Sequence, residues 1–402
     1  MKFDDYQRKA SETDIVQSDI DKKFYVPLTG LIGEIGSLIA EYKKYLRDGK
    51  AYENFTDHMQ EEIGDVLWYV ATLARRQDLS LSKIAEHILM LRTPYPLPLL
   101  GFEDNKKAFD EIYAEENLDR FQVKAAQIQR FDAEEEINLF AALMETSNKA
   151  GELIDQSIHV KNTNDLKTIM MIGLGSILWQ LSYIASIRKI KLSDVAKYNL
   201  DKIISRWPGD HAVHTPLFDE EYPEHEQFPR YIEIVFKGFK KPDGADFTIV
   251  SCNCIQIGDR LTDNTYDDTG YRFHDAIHYA FMAVLGWSPI MRRLFKVKRK
   301  SDPKKDEVDD GARAGIIEEA IVSLTYDYAR DQGMLEGQDE IDHSRIKMIQ
   351  KLSRGLEVET CKPWEWRIAI LKGYEMFRKL RDNKGGILIL DLNKRNIEYR
   401  TL

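Results

Sequence analysis

The sequence predicts a mainly α protein: two tandem four-helix modules that form a pseudo-dimer, followed by a C-terminal α+β domain with a small antiparallel sheet. Three observations predict it. GDVLWYVATLARRQDLSLSKIAEHIL (Gly64 to Leu89) aligns without gaps to GSILWQLSYIASIRKIKLSDVAKYNL (Gly175 to Leu200), an offset of 111 that marks an internal repeat. Within each copy the apolar residues fall at helical spacing, as in Leu31, Ile35, Leu38 and Ile39. Alternating segments of strand length appear only after Pro208.

Taken in order, FDDYQRKA (Phe3 to Ala10) opens the first copy and matches LDRFQVKA (Leu118 to Ala125) at an offset of 115. GEIGSL (Gly33 to Leu38) matches NKAGEL (Asn148 to Leu153) at the same offset, so the four-residue change falls in the connector after Tyr45, where insertions are tolerated. Ser80 to Ser82 and Leu192 to Asp194 offer N-caps for the two fourth helices, and Pro94 and Pro208 stop them. The expected modules are residues 1–100 and 112–209. A polar stretch with Pro216, Pro223 and Pro229 then leads into a domain at 225–402. There YIEIVFKGF (Tyr231 to Phe239) and FTIVSCNCIQI (Phe247 to Ile257) read as a hairpin about Pro242-Asp243-Gly244, and Ile387–Leu392 with Asn396–Arg400 as a second strand pair. Helices are expected at about 270–285, 311–331, 344–356 and 363–382.

Composition narrows the function classes. The 402 residues are 43% hydrophobic and 31% charged, the profile of a folded globular chain. With 57 basic against 67 acidic residues the net charge is −10, so no whole-molecule basic surface exists for wrapping nucleic acid. Three cysteines, two of them spaced Cys-x-Cys, make neither a disulfide framework nor a zinc spacing and point to a reducing, cytoplasmic setting. MKFDDYQRKASETD carries charges where a signal peptide needs an apolar core. Thr168 to Ile187 runs without a charge over a membrane-spanning length, but its place in the repeat makes it a core helix.

The strongest chemical signal is acidic. Glu34 lies on the second helix and Glu61, Glu62 and Asp65 on the third, with 62 and 65 one turn apart on one face. Carboxylates that converge inside a bundle repel one another and persist where a divalent cation compensates them, while solvated carboxylates on a surface helix give the same pattern. An oxygen-only ligand set suits Mg²⁺, with Mn²⁺ as the alternative, and such ions bridge to phosphates.

The strings GLIGEIGSLIAEYKK (Gly30 to Lys44) and EEIGDVLWYVATLA (Glu61 to Ala74) resemble the E-x-x-E…E-x-x-D signature of the MazG-like all-α nucleoside triphosphate pyrophosphohydrolases. Glu62-x-x-Asp65 matches in full, whereas Ser37 stands where the first half has its second Glu. The resemblance implies that Glu34, Glu62 and Asp65 bind Mg²⁺, that Glu61 joins them in catalysis, and that NTP or dNTP is split to the monophosphate and pyrophosphate. In the second copy Lys149, Gly173 and Ser176 replace Glu34, Glu62 and Asp65, and Glu152 stands at the Ser37 position. Its last helix instead carries Asn199, Lys202 and Arg206, similar to the family's phosphate-contacting N-x-x-K…R pattern, where the first copy has Ile88, Leu91 and Tyr95. The expectation is one composite site, consistent with family dimers in which neighbouring chains complete a site. Lys43, Lys44, Asn199, Lys202 and Arg206 are the candidate substrate-binding residues. Tyr42, Trp68 and Tyr69 are candidates for base stacking, with Trp68, repeated as Trp179, also readable as core. A nucleotide sensor with weak turnover is the alternative activity, and a homodimer is an open expectation.

GYRFHDAIHYAFMAVLGWSP (Gly270 to Pro289) and DGARAGIIEEAIVSLTYDYA (Asp310 to Ala329) resemble the C-terminal domain that accompanies some MazG-like proteins. His274, Asp275 and His278 on one helix, with Glu318 and Glu319 on another, read either as a second metal or nucleotide site or as a hydrogen-bonded structural network. Arg292 to Lys305 holds eight basic residues and reads as a solvated loop or as a mobile phosphate-gripping loop beside Asp275 and Glu318.

Overall fold

The computed structural model describes residues 1–14, 20–92, 117–128, 134–160, 162–209, 212–240, 242, 244, 246–264, 266 and 268–402. The chain divides into two compact units, Met1–Trp207 and Pro208–Leu402. Pro94, Tyr95, Asp243 and the rest of the connector over 93–116 lie outside the described residues.

The first unit is helical throughout its described residues: α1 (Phe3–Ser11), α2 (Ile20–Asp48), α3 (Phe55–Arg76), α4 (Leu81–Arg92), α5 (Leu118–Ile128), α6 (Glu135–His159), α7 (Thr163–Ile187) and α8 (Leu192–Arg206). One continuous apolar core draws on all eight, from Phe3 and Leu31 to Leu178 and Leu200. α2 packs on α3 and α6 on α7, while the short fourth helices cross over: α4 lies on α7 and α8 on α3. A missing side chain makes each crossing close. A Cβ on Gly64 of α3 would sit 3.0 Å from the Asn199 Cβ of α8, and one on Gly175 of α7 would sit 3.2 Å from the Ile88 Cβ of α4.

The N-cap expectation holds for α4, where the Ser80 hydroxyl accepts from the Lys83 amide at 3.3 Å, and fails for α8. Lys191, not Ser193, occupies the N-cap of α8, and its side chain makes no capping hydrogen bond. The orphan N–H groups are met from the first helix of each half. Asp119 accepts from the Ser193 amide at 2.9 Å and Gln122 from the Leu192 amide at 2.9 Å. Asp4 accepts from the Ser82 amide at 3.1 Å and Gln7 from the Leu81 amide at 3.0 Å. Carboxylate and amide oxygens satisfy the exposed donors of a helix start as a local cap does, and tie two elements together as well. Asp4/Asp119 and Gln7/Gln122 keep the offset of 115, while Leu81/Leu192 and Ser82/Ser193 keep that of 111.

Among the described residues α7 is the one helix long and apolar enough to cross a membrane, and 67% of its apolar window is buried inside the protein. Leu174, Ile177, Leu178, Leu181 and Ile184 are its buried faces, so a central position in the bundle accounts for its lack of charge.

In the second unit β1 (Tyr231–Lys240), β2 (Asp246–Cys252), β3 (Ile255–Gln256), β4 (Gly385–Asp391) and β5 (Asn396–Arg400) form one sheet of order β3-β2-β1-β4-β5, each neighbour antiparallel. The expected strand Phe247–Ile257 is broken after Cys252. Asn253 and Cys254 both have positive φ, 48° and 63°, so they turn the chain into β3 in the two-residue geometry that Asn favours. The two predicted strand pairs thus join into one sheet through β1 and β4.

The helices of this unit are α9 (Asp275–Ala280), α10 (Pro289–Phe295), α11 (Pro303–Val308), α12 (Ala312–Asp331), α13 (His343–Leu352) and α14 (Pro363–Asp382). The single helix expected at 270–285 is three pieces: a 3₁₀ turn at Tyr271–Phe273, α9, and a π-helical turn at Phe281–Leu285 that stops at Gly286 with φ 69°. The basic run departs from a solvated loop at two residues. Arg292 and Arg299 are buried at 1% and 0% exposure. Arg292 donates to Asp219 at 3.0 Å, and Arg299 to Asp310 at 2.6 Å and Glu357 at 2.7 Å. Arg292 on α10 and Arg299 in the segment between α10 and α11 thus anchor a buried ion-pair network, while Arg293, Lys296, Lys300 and Lys304 of the run are exposed.

Candidate functional site

Glu34 on α2 and Glu62 and Asp65 on α3 place carboxylate oxygens within 4.8 Å of one another. The helices put them there. Leu31, Ile35 and Leu38 of α2 and Ile63, Val66, Leu67 and Val70 of α3 bury their stripes in the bundle core, which leaves the acids half-buried at the edge of the shared face. Burial first, then the charges of Asp65, Glu34 and Glu61, push the Glu62 carboxyl up to about 7, against a smaller pull from Lys202. A cluster that holds one of its own carboxylates near neutrality is under-compensated, which is the condition a divalent cation relieves.

The cations that do approach come from α8. The Lys202 ammonium donates to both Asp65 oxygens, at 2.5 Å to Oδ2, and to Glu61 at 3.3 Å. Asn199, fully buried, donates from Nδ2 to Asp65 Oδ1 at 2.9 Å. Arg206 feels Asp65, Glu61 and Glu34, whose attraction opposes the lowering of its pKa by burial. The structure thus brings Glu34, Glu61, Glu62, Asp65, Asn199, Lys202 and Arg206 to one place, although 134 positions separate Asn199 from Asp65.

Lys43 and Lys44 are not part of it. Lys43 is exposed, and Lys44 pairs with Glu41 at 2.5 Å. Ten residues at a rise of about 1.5 Å place Lys44 about 15 Å along α2 from Glu34. Tyr42 belongs to the core at 5% exposure, its hydroxyl donating to the Glu136 carbonyl at 3.2 Å. The Trp68 indole donates to the Ala10 carbonyl and the Thr13 hydroxyl, which fixes it to α1. Tyr69 stands nearer the acids: burial, then Glu34 and Asp65, raise its pKa, and its ring fills the space a Cβ on Gly30 would need.

Sequence reasoning missed Tyr6. Its buried hydroxyl donates to Asn199 Oδ1 at 2.9 Å, so Asn199 turns its amide nitrogen to Asp65. A signal was present: at the aligned positions the pair Tyr6 and Asn199 is replaced by Phe121 and Ile88, so both polar members are exchanged for apolar ones. The counterpart of the acidic cluster in the second half is a cleft of about 340 Å³ lined by Ile88, Leu91, Lys149, Glu152, Gly173 and Ser176 among others. There Lys149 pairs with Glu152 at 2.9 Å and Glu145 at 3.5 Å along its own helix.

In the second unit the structure brings His274, Asp275 and His278 together, with ligand atoms within 4.8 Å. Glu318 lies against His278 Nδ1 at 2.7 Å and Glu319 3.6 Å from His278 Nε2.

With this geometry in view, residues 213–402 match the family model described as the MazG C-terminal domain. The chain is also 40% identical over 96 residues to the "Gene 37 protein" of Mycobacterium phage L5, a match that covers 22% of this chain and 83% of that protein. The chain belongs to the MazG-like family. The family match falls on the second unit and leaves the acidic cluster of the first to be argued from its own residues. No solved structure matches the chain.

Proposed function

We propose that this MazG-like protein hydrolyses nucleoside triphosphates, NTP or dNTP, to the monophosphate and pyrophosphate with Mg²⁺, and so depletes or cleanses a nucleotide pool. The observation that carries this reading is the meeting of Glu34, Glu62 and Asp65 with Lys202, Asn199 and Arg206: acids able to hold a divalent cation beside donors able to hold phosphate oxygens. The donor set fits the ion, since the oxygens converge within 4.8 Å and burial and mutual repulsion hold Glu62 near neutrality. A divalent cation, when bound, would be held by Glu34, Glu62 and Asp65 and would supply charge neutralisation to the phosphoryl oxygens and the attacking water. Glu61, at the margin of the cluster and 3.3 Å from Lys202, would accept a proton from that water. Lys202 exchanges its Asp65 contact for a phosphate oxygen when substrate enters. Asn199, held by Tyr6, orients Asp65.

The same reading treats the first unit as two copies of one module. The exchanged crossings at Gly64 and Gly175 and the matching caps from Asp4 and Asp119 support it. Pyrophosphate release from a panel of NTPs and dNTPs tests the activity. Release that needs Mg²⁺ and disappears in Asp65→Asn is expected. Ser37, standing where a fourth carboxylate is expected, favours a second reading as a weakly active nucleotide sensor. That reading predicts nucleotide-dependent thermal stabilisation without pyrophosphate.

A further inference from the structure

The second unit holds two buried histidines whose outward nitrogens both face carboxylates, Asp275 at 3.3 Å and Glu319 at 3.6 Å. The 3₁₀ turn at Tyr271–Phe273 delivers His274 to the start of α9, and His278 follows four residues later on the same face. His274 is 9% exposed and His278 1%. His274 Nδ1 lies 2.9 Å from the Tyr271 carbonyl, an acceptor only, so Nδ1 carries the proton and Nε2 presents a lone pair, 3.3 Å from Asp275 Oδ1. The Tyr271 ring stacks on the imidazole at 4.3 Å and 7°, which fixes its plane.

His278 is held more firmly still. Its Nδ1 donates to Glu318 at 2.7 Å, and Glu318, fully buried, also accepts from the Ser288 hydroxyl at 2.6 Å and the Ile290 amide at 2.8 Å. Those three bonds fix the Glu318 carboxylate behind the ring, which it orients. His278 Nε2 is buried and makes no hydrogen bond. The Glu319 carboxylate, half-exposed, lies 3.6 Å from it. A carboxylate behind a histidine, with the other ring nitrogen turned to further carboxylates, is how proteins preset imidazole ligands. The π-helical turn directly after α9 fits that role, since such turns concentrate at functional positions.

We propose that His274, His278, Asp275 and Glu319 bind a first-row transition-metal dication, of the Zn²⁺, Mn²⁺, Fe²⁺ or Co²⁺ class. Two imidazole nitrogens with two carboxylates select those ions over Mg²⁺, for which the oxygen-only cluster of the first unit is suited. The half-exposed Glu319 gives the ion its way in. Glu318 is a positioning residue.

The test uses full-length, tag-free protein with the oxygen cluster disabled by Glu62→Gln and Asp65→Asn, so the result does not depend on the pyrophosphohydrolase reading. Apoprotein is titrated with Co²⁺ and followed by its visible ligand-field bands. One equivalent with bands characteristic of mixed nitrogen and oxygen ligation is expected. His274→Gln, at the rim of the site, should weaken binding by roughly 10–100-fold or more, and Glu319→Gln should weaken it with no shift in Tm of the apoprotein. His278→Ala strands Glu318 and is not needed. No Co²⁺ bands in the parent, or equal affinity in His274→Gln, overturns the site and leaves the four residues as an internal ion-pair network.

Discussion

Glu62 sits where function and stability oppose each other. Its carboxyl is pushed up to about 7 from an ordinary 4.5, so between those values the folded protein holds a proton that the unfolded chain has released. Stability of the metal-free first unit should therefore fall as pH rises through that window, and the loss is complete above it. Glu62→Gln removes the term. In EDTA at pH 8 the variant should be more stable by roughly 1–2 kcal/mol, after allowance for solvent screening, and the advantage should vanish near pH 4.5. Thermal melts across pH 4.5–8 check this, and an advantage that does not change with pH contradicts it. The same variant should lose Mg²⁺-dependent pyrophosphate release. Lys202→Ala separates the other half of the site: loss of a charge-assisted contact of about 1.5–3 kcal/mol should lower kcat/KM about tenfold to a hundredfold. Affinity for the metal alone should not fall, because the variant removes a cation from beside Asp65. Weaker metal binding in Lys202→Ala would mean that the ammonium builds the carboxylate geometry rather than meeting phosphate.

At the scale of elements, close approach rather than propensity decides where helices meet. Gly64→Ala directs a methyl to within 3.0 Å of Asn199 Cβ and should displace Asn199 from Asp65, lowering turnover. Gly175→Ala, with 3.2 Å to Ile88, should strain the other crossing and leave turnover near wild type. Pyrophosphate assays on the pair distinguish a local effect at the site from general loosening. The Arg299 network makes a separate prediction. Arg299→Ala takes the main cation from buried Asp310 and Glu357, leaving them Arg292 at 3.5 Å and Lys305 at 3.0 Å, and should destabilise the second unit by about 3 kcal/mol, read from its own denaturation transition. Elements and site differ in how far they could be read from sequence. Helical periods and the acids on α2 and α3 were legible because they are local patterns. The meeting of Lys202 and Asp65 could be argued because Asn199, Lys202 and Arg206 resemble the family's phosphate-contacting pattern where the aligned first-copy positions do not. The caps from Asp4 and Asp119, the burial of Arg292 and Arg299 and the distance of Lys44 from the acids were not legible. Each depends on a partner that is remote in sequence, and an exposed and a buried arginine are the same letter.

At the scale of the whole molecule the two units, Met1–Trp207 and Pro208–Leu402, each have a core of their own. Residues 1–209 expressed alone should fold and retain Mg²⁺-dependent pyrophosphate release. Residues 1–100 should not, since α8 is then absent and Asp65 loses both Asn199 and Lys202. Full activity in that shorter piece contradicts a site drawn from two halves.

The exchanged crossings bear on how such a chain can change over time. In a symmetric dimer of separate chains every substitution strikes both sites at once, so no residue is released from selection. If, as proposed, the first unit joins two copies of one module, that constraint is lifted unevenly: acids from one copy and donors from the other would serve a single site. On that reading the changes at Lys149, Gly173 and Ser176, with Ile88 and Leu91, touch one site only, and neither half could be discarded without the other. On the proposed reading, duplication followed by this partition would work as a ratchet.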